Sequence, residues 1–141
     1  GVIPWSPLGG GWLSGKWRHG NENTSRRSAM VPARFDLDLP ENQRKLDAAD
    51  ALGRLADDAG VPLVDLAVAW VLNHPVVTAA IIGPRTMEQL DSQMGAVDVT
   101  LDDAVLDRID EIVPPGTNFG WGDAGYSPPG VAEPRARRRT V

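Results

Sequence analysis

The sequence predicts an α/β fold with parallel strands, on three observations. A short apolar run, Val2-Ile3, leads straight into a glycine-rich turn, as at the end of a strand. A second run, Val76 to Ile82, is mostly β-branched residues and alanine, the composition of a strand buried on both faces. Segments with helical periodicity lie between and after these runs. Strand, loop, helices, strand, helix, helix is the alternation that produces parallel sheets covered by helices.

The first turn reads Trp5-Ser6-Pro7-Leu8-Gly9-Gly10-Gly11-Trp12-Leu13-Ser14-Gly15-Lys16. Three consecutive glycines let the backbone approach a ligand and turn several N–H groups one way, which suits an anion such as a diphosphate. Residues 17–43 form a long polar stretch. A structureless loop of that length is uncommon in a compact domain and tends to be a lid or a flexible insertion. Helical patterning follows, with Leu52, Leu55, Ala56 and Ala59 on one face and Gly60 as the stop. The strongest amphipathic signal comes next: Leu63, Leu66, Ala67, Trp70 and Val71 at i, i+3, i+4, i+7 and i+8. It assigns Trp70 to the core. This helix ends at Asn73-His74-Pro75, because a residue before proline is pushed out of the helical region.

Gly83-Pro84 breaks the second strand. Thr86-Met87-Glu88-Gln89 is a capping box, so a helix starts there and carries Met87, Leu90 and Met94 inward. Thr100 caps a last helix, with Val105, Leu106, Ile109, Ile112 and Val113 on one face and Pro114-Pro115-Gly116 as its end. Asp102 and Asp103 fall in its first turn, where carboxylates favour the helix dipole. Residues 1–117 thus form the organised part. Residues 118–141 read as an irregular Gly/Pro-rich tail whose basic run, Arg135 to Arg139, is a solvated end.

The chain has 141 residues, enough for one domain with a core. A net charge of −5 argues against nucleic acid as a partner, because phosphate backbones need a basic face. The absence of cysteine excludes disulfides and thiolate metal sites and fits a reducing cytoplasm, the expected location. No apolar run approaches the roughly 18 residues that span a bilayer, so no membrane association is expected. A turn that belongs after a buried strand begins five residues into the chain, and two strands cannot make a sheet with both faces covered. The chain therefore reads as the back part of a larger protein.

Three stretches together resemble the carboxy-terminal part of the aldo-keto reductases: Trp5-Ser6-Pro7-Leu8 with Gly11, Leu13, Gly15 and Lys16; the helix ending in Trp70-Val71-Leu72; and Ala80 through Leu90, Ala-Ile-Ile-Gly-Pro-Arg-Thr-Met-Glu-Gln-Leu. The resemblance covers about residues 1–117. It implies a partial (β/α)8 TIM barrel: strands seven and eight with their helices and the family's extra C-terminal helix. Phosphate groups in such barrels bind at the loops after those two strands. It further implies NADPH as cofactor and an aldehyde or ketone as substrate.

Carried over by position, Trp5 matches an aromatic that stacks on the nicotinamide. Ser6, Pro7, Leu8, Gly10, Gly11 and Leu13 match the loop that folds over the diphosphate. Gly83, Arg85 and Thr86 match the segment holding the 2′-phosphate, and Gln89 and Gln93 match polar positions around that phosphate and the adenine. Arg85 just before a helix N-cap agrees independently, since a guanidinium and a helix N-terminus can engage one phosphate. Where the family often carries Glu-Asn, this chain has Ser92-Gln93, which leaves the preference for NADPH over NADH to Arg85. The family's catalytic Asp, Tyr, Lys and His come from the front half of the barrel. Tyr126, Lys16, Lys45, His19 and His74 match none of those positions, so no catalytic residue and no metal ligand is assigned here. His19 and Tyr126 read as solvent-exposed. Two other readings remain open beside the reductase: a nucleotide-binding or interaction module without chemistry of its own, and a fragment that misfolds because its sheet edges are unpaired.

Overall fold

A computed structural model describes residues 1–20, 26–119 and 134–137. Tyr126, the basic residues Arg138 and Arg139, and most of the 118–141 tail lie outside the described residues. Within that tail, Pro134–Arg137 forms one helical turn.

The two apolar runs lie side by side and parallel, bridged at Val2–Val77 and Trp5–Ile81. Val2 N donates to Val76 O at 2.8 Å, Thr78 N to Val2 O at 2.9 Å and Ile81 N to Pro4 O at 2.8 Å. Between the bridges, residues 78–80 of the second run face only Ile3 and Pro4, which is a bulge. Pro4 has no N–H to give, so the ladder cannot run continuously. Burial on both faces is not observed. Val77 is buried, whereas Val2, Ile3, Val76 and Ile81 each keep half or more of their surface exposed. Among the described residues no third extended segment lies beside this pair to cover them.

Helices make up the rest. A short α1, Arg26–Met30, and a 3-10 turn, Pro32–Arg34, occupy the stretch expected to be structureless. The long helix α2 runs Pro40–Asp58 and so begins well before Leu52, because Pro40 fills a first-turn position with its φ preset. It ends as expected at Gly60, where φ is +71°. There Val61 N donates to Ala56 O (3.0 Å) and Gly60 N to Asp57 O (3.1 Å), the Schellman pairing that satisfies the last carbonyls. Helix α3, Leu63–Leu72, follows at once. Helix α4, Met87–Met94, and the 3-10 turn Gly95–Asp98 pack on α3, while α5, Asp103–Ile112, packs on α2.

The main core gathers Leu52 and Ala56 of α2, Leu63, Leu66 and Ala69 of α3, and Leu101, Leu106 and Ile109 around α5. A second cluster joins Trp12, Trp17, Phe35 and Leu46. Three expectations about orientation are corrected. Trp70 is 42 % exposed rather than core, because the buried side of α3 turns through Leu66 and Ala69. Met87 and Met94 point outward at 68 % and 51 % exposure, and the buried residue of α4 is Gln93. The cap of α5 is Asp102 rather than Thr100: its carboxylate accepts from Val105 N at 2.8 Å.

Candidate functional site

Parallel pairing decides where the site residues sit. Trp5 is level with Ile81, so the turns that follow, 6–11 and 82–86, leave the extended pair at the same end. The Trp5 indole is 76 % exposed there and takes no part in a core. Ser6 has φ +57°, a left-handed conformation that a residue with a side chain adopts at a cost of order 1–3 kcal/mol. Gly9, Gly10 and Gly11 follow at φ +58°, +70° and +118°, which is why glycine occupies all three positions.

The turn closes on itself. Gly9 N donates to Ser6 O (3.0 Å), and Gly11 N and Leu13 N both donate to Leu8 O (2.9 and 3.1 Å). Ser14 Oγ donates to Gly11 O at 2.7 Å. The expected fan of amides is therefore reduced: the N–H groups of Gly9, Gly11 and Leu13 serve the loop.

The second turn carries Gly83, Arg85 and Thr86. Thr86 caps α4, accepting from Gln89 N at 3.2 Å. Gln89 Oε1 reaches back to accept from Arg85 N at 2.9 Å, one residue before the position a capping box requires. This fixes the backbone at Arg85 while its side chain stays exposed. Among the described residues no carboxylate pairs with its guanidinium. Gln93 sits apart, only 7 % exposed, its Nε2 donating to Gln89 O at 2.9 Å. The structure thus brings Trp5, Ser6, the glycines, Arg85, Thr86 and Gln89 to one end of the extended pair and places Gln93 under the helix.

A cavity of about 430 Å³ opens behind the glycine turn, lined by Pro7, Leu13, Leu66, Trp70, Ile109 and Val113 among others. It shares only Pro7, Leu13 and the remaining loop residues Gly9 and Trp12 with the turn, and none of Arg85, Thr86 or Gln89. Its walls are mainly aliphatic and aromatic, with Lys45 and Asp110 the charged residues among them.

Sequence reasoning missed the anchor that follows the turn. Arg18 pairs with Asp50 and Asp57, each at 3.1 Å. Asp50 also accepts from His19 N at 3.2 Å and pairs with Arg54. Burial pushes the Asp50 carboxyl up, but the hydrogen bonds from Arg18 and His19 and the charge of Arg54 outweigh it and hold it below the usual carboxylate range. His19 Nε2 lies 2.9 Å from Asp47 Oδ1, both half exposed or more, in keeping with the expected exposure of His19. Arg34 was missed as well. It belongs to the 3-10 turn inside 17–43, yet lies against Gly10. A juxtaposition across that many residues leaves no periodic trace in a sequence.

Among the described residues, no helix is long and apolar enough to cross a membrane, and no group of three His, Cys, Asp or Glu side chains is placed to hold a metal ion. In comparison with known proteins, residues 1–114 match the profile of the aldo/keto reductase family. The chain is 40 % identical over 114 residues to an uncharacterized oxidoreductase, YrpG, of Bacillus subtilis, covering 81 % of this chain and 32 % of that protein. It is 34 % identical over 116 residues to a putative voltage-gated potassium channel subunit beta of Schizosaccharomyces pombe, with 80 % and 34 % covered. A probable voltage-gated potassium channel subunit beta of Arabidopsis thaliana is 33 % identical over 115 residues, with 80 % and 35 % covered. The chain spans about a third of the length of these curated relatives.

Proposed function

The chain belongs to the aldo/keto reductase family, and from that premise we propose that it carries the NADPH-binding part of a carbonyl-reducing oxidoreductase. The observation that carries this reading is the shared end of the extended pair. An exposed indole, a glycine turn and the guanidinium of Arg85, which meets no carboxylate among the described residues, stand there together. This donor set suits a dinucleotide: an aromatic face for a flat ring, a turn without side chains for the diphosphate, and a cation beside a helix start for a terminal phosphate. NADPH, when bound, supplies the hydride that reduces an aldehyde or ketone. The residues of this chain bind and orient it. Trp5 offers its face to the nicotinamide, Ser6 to Leu13 cover the diphosphate, and Arg85 with Thr86 and Gln89 meet the 2′-phosphate.

On the same reading the extended pair corresponds to strands seven and eight of a (β/α)8 barrel. The half-exposed apolar side chains of Val2, Ile3, Val76 and Ile81 support this, since they are what further strands and helices would cover. The catalytic acid and its partners would be contributed by other parts of that barrel. A cytoplasmic location and a small-molecule substrate complete the proposal; the cysteine-free composition supports the former.

A second reading, a nucleotide-binding or interaction module without chemistry, is favoured by the relatives named as potassium channel beta subunits. The test is a titration of NADPH into the full gene product, followed by tryptophan emission, with aldehyde-dependent NADPH oxidation measured in parallel. Saturable quenching with turnover supports the reductase. Quenching without turnover supports the second reading in its nucleotide-binding form, and no saturable quenching refutes the reductase and that form, leaving an interaction module.

A further inference from the structure

The stretch between Trp17 and α2 holds one cation against the glycine turn. A Cβ built on Gly10 would stand 3.4 Å from Nη1 of Arg34 and 3.9 Å from its Cδ, so the Arg34 side chain rests on the backbone of the tripled glycine. Arg34 ends the 3-10 turn Pro32–Arg34, in which Arg34 N donates to Val31 O (3.1 Å) and Phe35 N to Pro32 O (2.9 Å). Two locks fix this turn. Phe35 is buried, its ring stacked 5.0 Å from Trp17 and lying 5.2 Å from Trp12, the residue that directly follows the glycines. On the other side Asn42, 1 % exposed, donates through Nδ2 to Ala33 O (3.0 Å) and Asp36 O (2.9 Å). Arg34 itself remains exposed. Among the described residues it meets no carboxylate, unlike Arg18, Arg54 and Arg108.

We propose that Arg34 is a further ligand of the dinucleotide, clamping its diphosphate where this crosses the glycine turn. The inference rests on the reading of that turn as the cofactor's diphosphate site. Its chemistry is direct. Three loop amides already donate within the turn and are not offered to an anion, so a cation resting on it adds to what the remaining backbone can give. A guanidinium presents a planar fork that matches two phosphate oxygens. Gly10, having no side chain, lets fork and anion meet over one backbone position. Arg34 and Arg85 then divide the ligand: Arg34 holds the part that NADPH and NADH share, and Arg85 the 2′-phosphate that only NADPH has.

The experiment measures dissociation constants of NADPH and NADH, and competition by inorganic pyrophosphate, on the full gene product as wild type, Arg34→Gln and Arg85→Ala. Arg34→Gln should weaken both dinucleotides by about tenfold or more, the scale of a charged hydrogen bond, and remove pyrophosphate competition. Its melting temperature should stay unchanged. Arg34→Gln with wild-type NADH affinity, alongside an Arg85→Ala that still weakens NADPH, overturns the inference and leaves the cofactor reading standing. Loss of NADPH affinity alone in Arg34→Gln overturns it too, because the contact would then be to the 2′-phosphate. A wild type that binds neither dinucleotide refutes the cofactor reading itself. If Arg34→Gln melts early, Arg34→Lys is read instead: weakened NADH binding in a stable variant supports the contact, and wild-type affinity overturns it.

Discussion

Asp65 on α3 offers a prediction whose sign is set by burial. Its carboxylate faces the 3-10 turn after α4: a Cβ on Gly95 would lie 3.3 Å from Oδ2. Only 8 % of the residue is exposed, and among the described residues Oδ1 has no hydrogen-bond partner. Burial pushes this carboxyl above the usual carboxylate range. An unpartnered buried acceptor costs roughly 1–3 kcal/mol. Against this, the position in the first turn of α3 contributes about 0.3–1 kcal/mol through the helix dipole. Asp65→Ala should therefore stabilise the protein by about 1–2 kcal/mol at neutral pH, a rise in melting temperature of roughly 3–8 °C.

The pH dependence is the sharper test. Because the folded state raises the affinity of Asp65 for its proton, the stability linked to that proton is fully present below the unfolded carboxylate's range. It is lost as pH rises through the raised folded value. The advantage of Asp65→Ala over wild type should thus grow with pH across that window and then level off. Asp65→Asn, which keeps the shape but cannot titrate, should show the same relative trend. Urea unfolding from about pH 3 to about pH 8 measures it. A difference independent of pH, or a wild type that gains on both variants as pH rises, would refute the reasoning.

Three further outcomes follow from named contacts. A Cβ on Gly53, inside α2, would lie 2.5–2.8 Å from the Arg18 guanidinium; Gly53→Ala should therefore gain up to about 1 kcal/mol of helix propensity in an Arg18→Ala background but less in the wild type, a coupling that a double-mutant cycle by denaturant unfolding detects. Asn42→Ala removes three hydrogen bonds, two donated to Ala33 O and Asp36 O and one accepted from Lys45 Nζ, from a fully buried side chain and should cost about 2–4 kcal/mol in the same assay. Arg85→Ala should weaken NADPH by about 1.5–3 kcal/mol while leaving NADH nearly unchanged, measured by fluorescence titration; equal losses for both would remove the 2′-phosphate assignment.

Local signals proved the most readable. The stop at Gly60, the end of α3 before Pro75 and the cap at Thr86 each depend on residues within one helical turn, and each stands where its chemistry put it. The face of α5 likewise follows its spacing, with Leu106 and Ile109 buried and Val105, Ile112 and Val113 packed beside them. Elsewhere periodicity named a face without saying what would lie against it. Met87 and Met94 share a stripe, but the buried residue of α4 is Gln93, whose amide finds a carbonyl in its own helix. Trp70 lies on the apolar stripe of α3 and lines a cavity instead. The stretch 17–43 looked empty because its two aromatics, Trp17 and Phe35, carry no helical or strand repeat; they find each other and Trp12 only when the chain folds back.

For this protein, then, the amino-acid order alone determined where α3 and α4 begin and where α2 and α3 stop, that the two apolar runs pair in parallel, and which family the glycine turn and the Arg85 segment belong to. These follow from φ preferences, caps and spacing that act over a few residues. Tertiary structure alone decided which apolar stripes are buried, that Asp50 and Asn42 sit inside, and that Arg34 lies on Gly10. Such pairings join positions far apart in the chain, and the packing of Phe35 against Trp12 and Trp17 brings the last of them about.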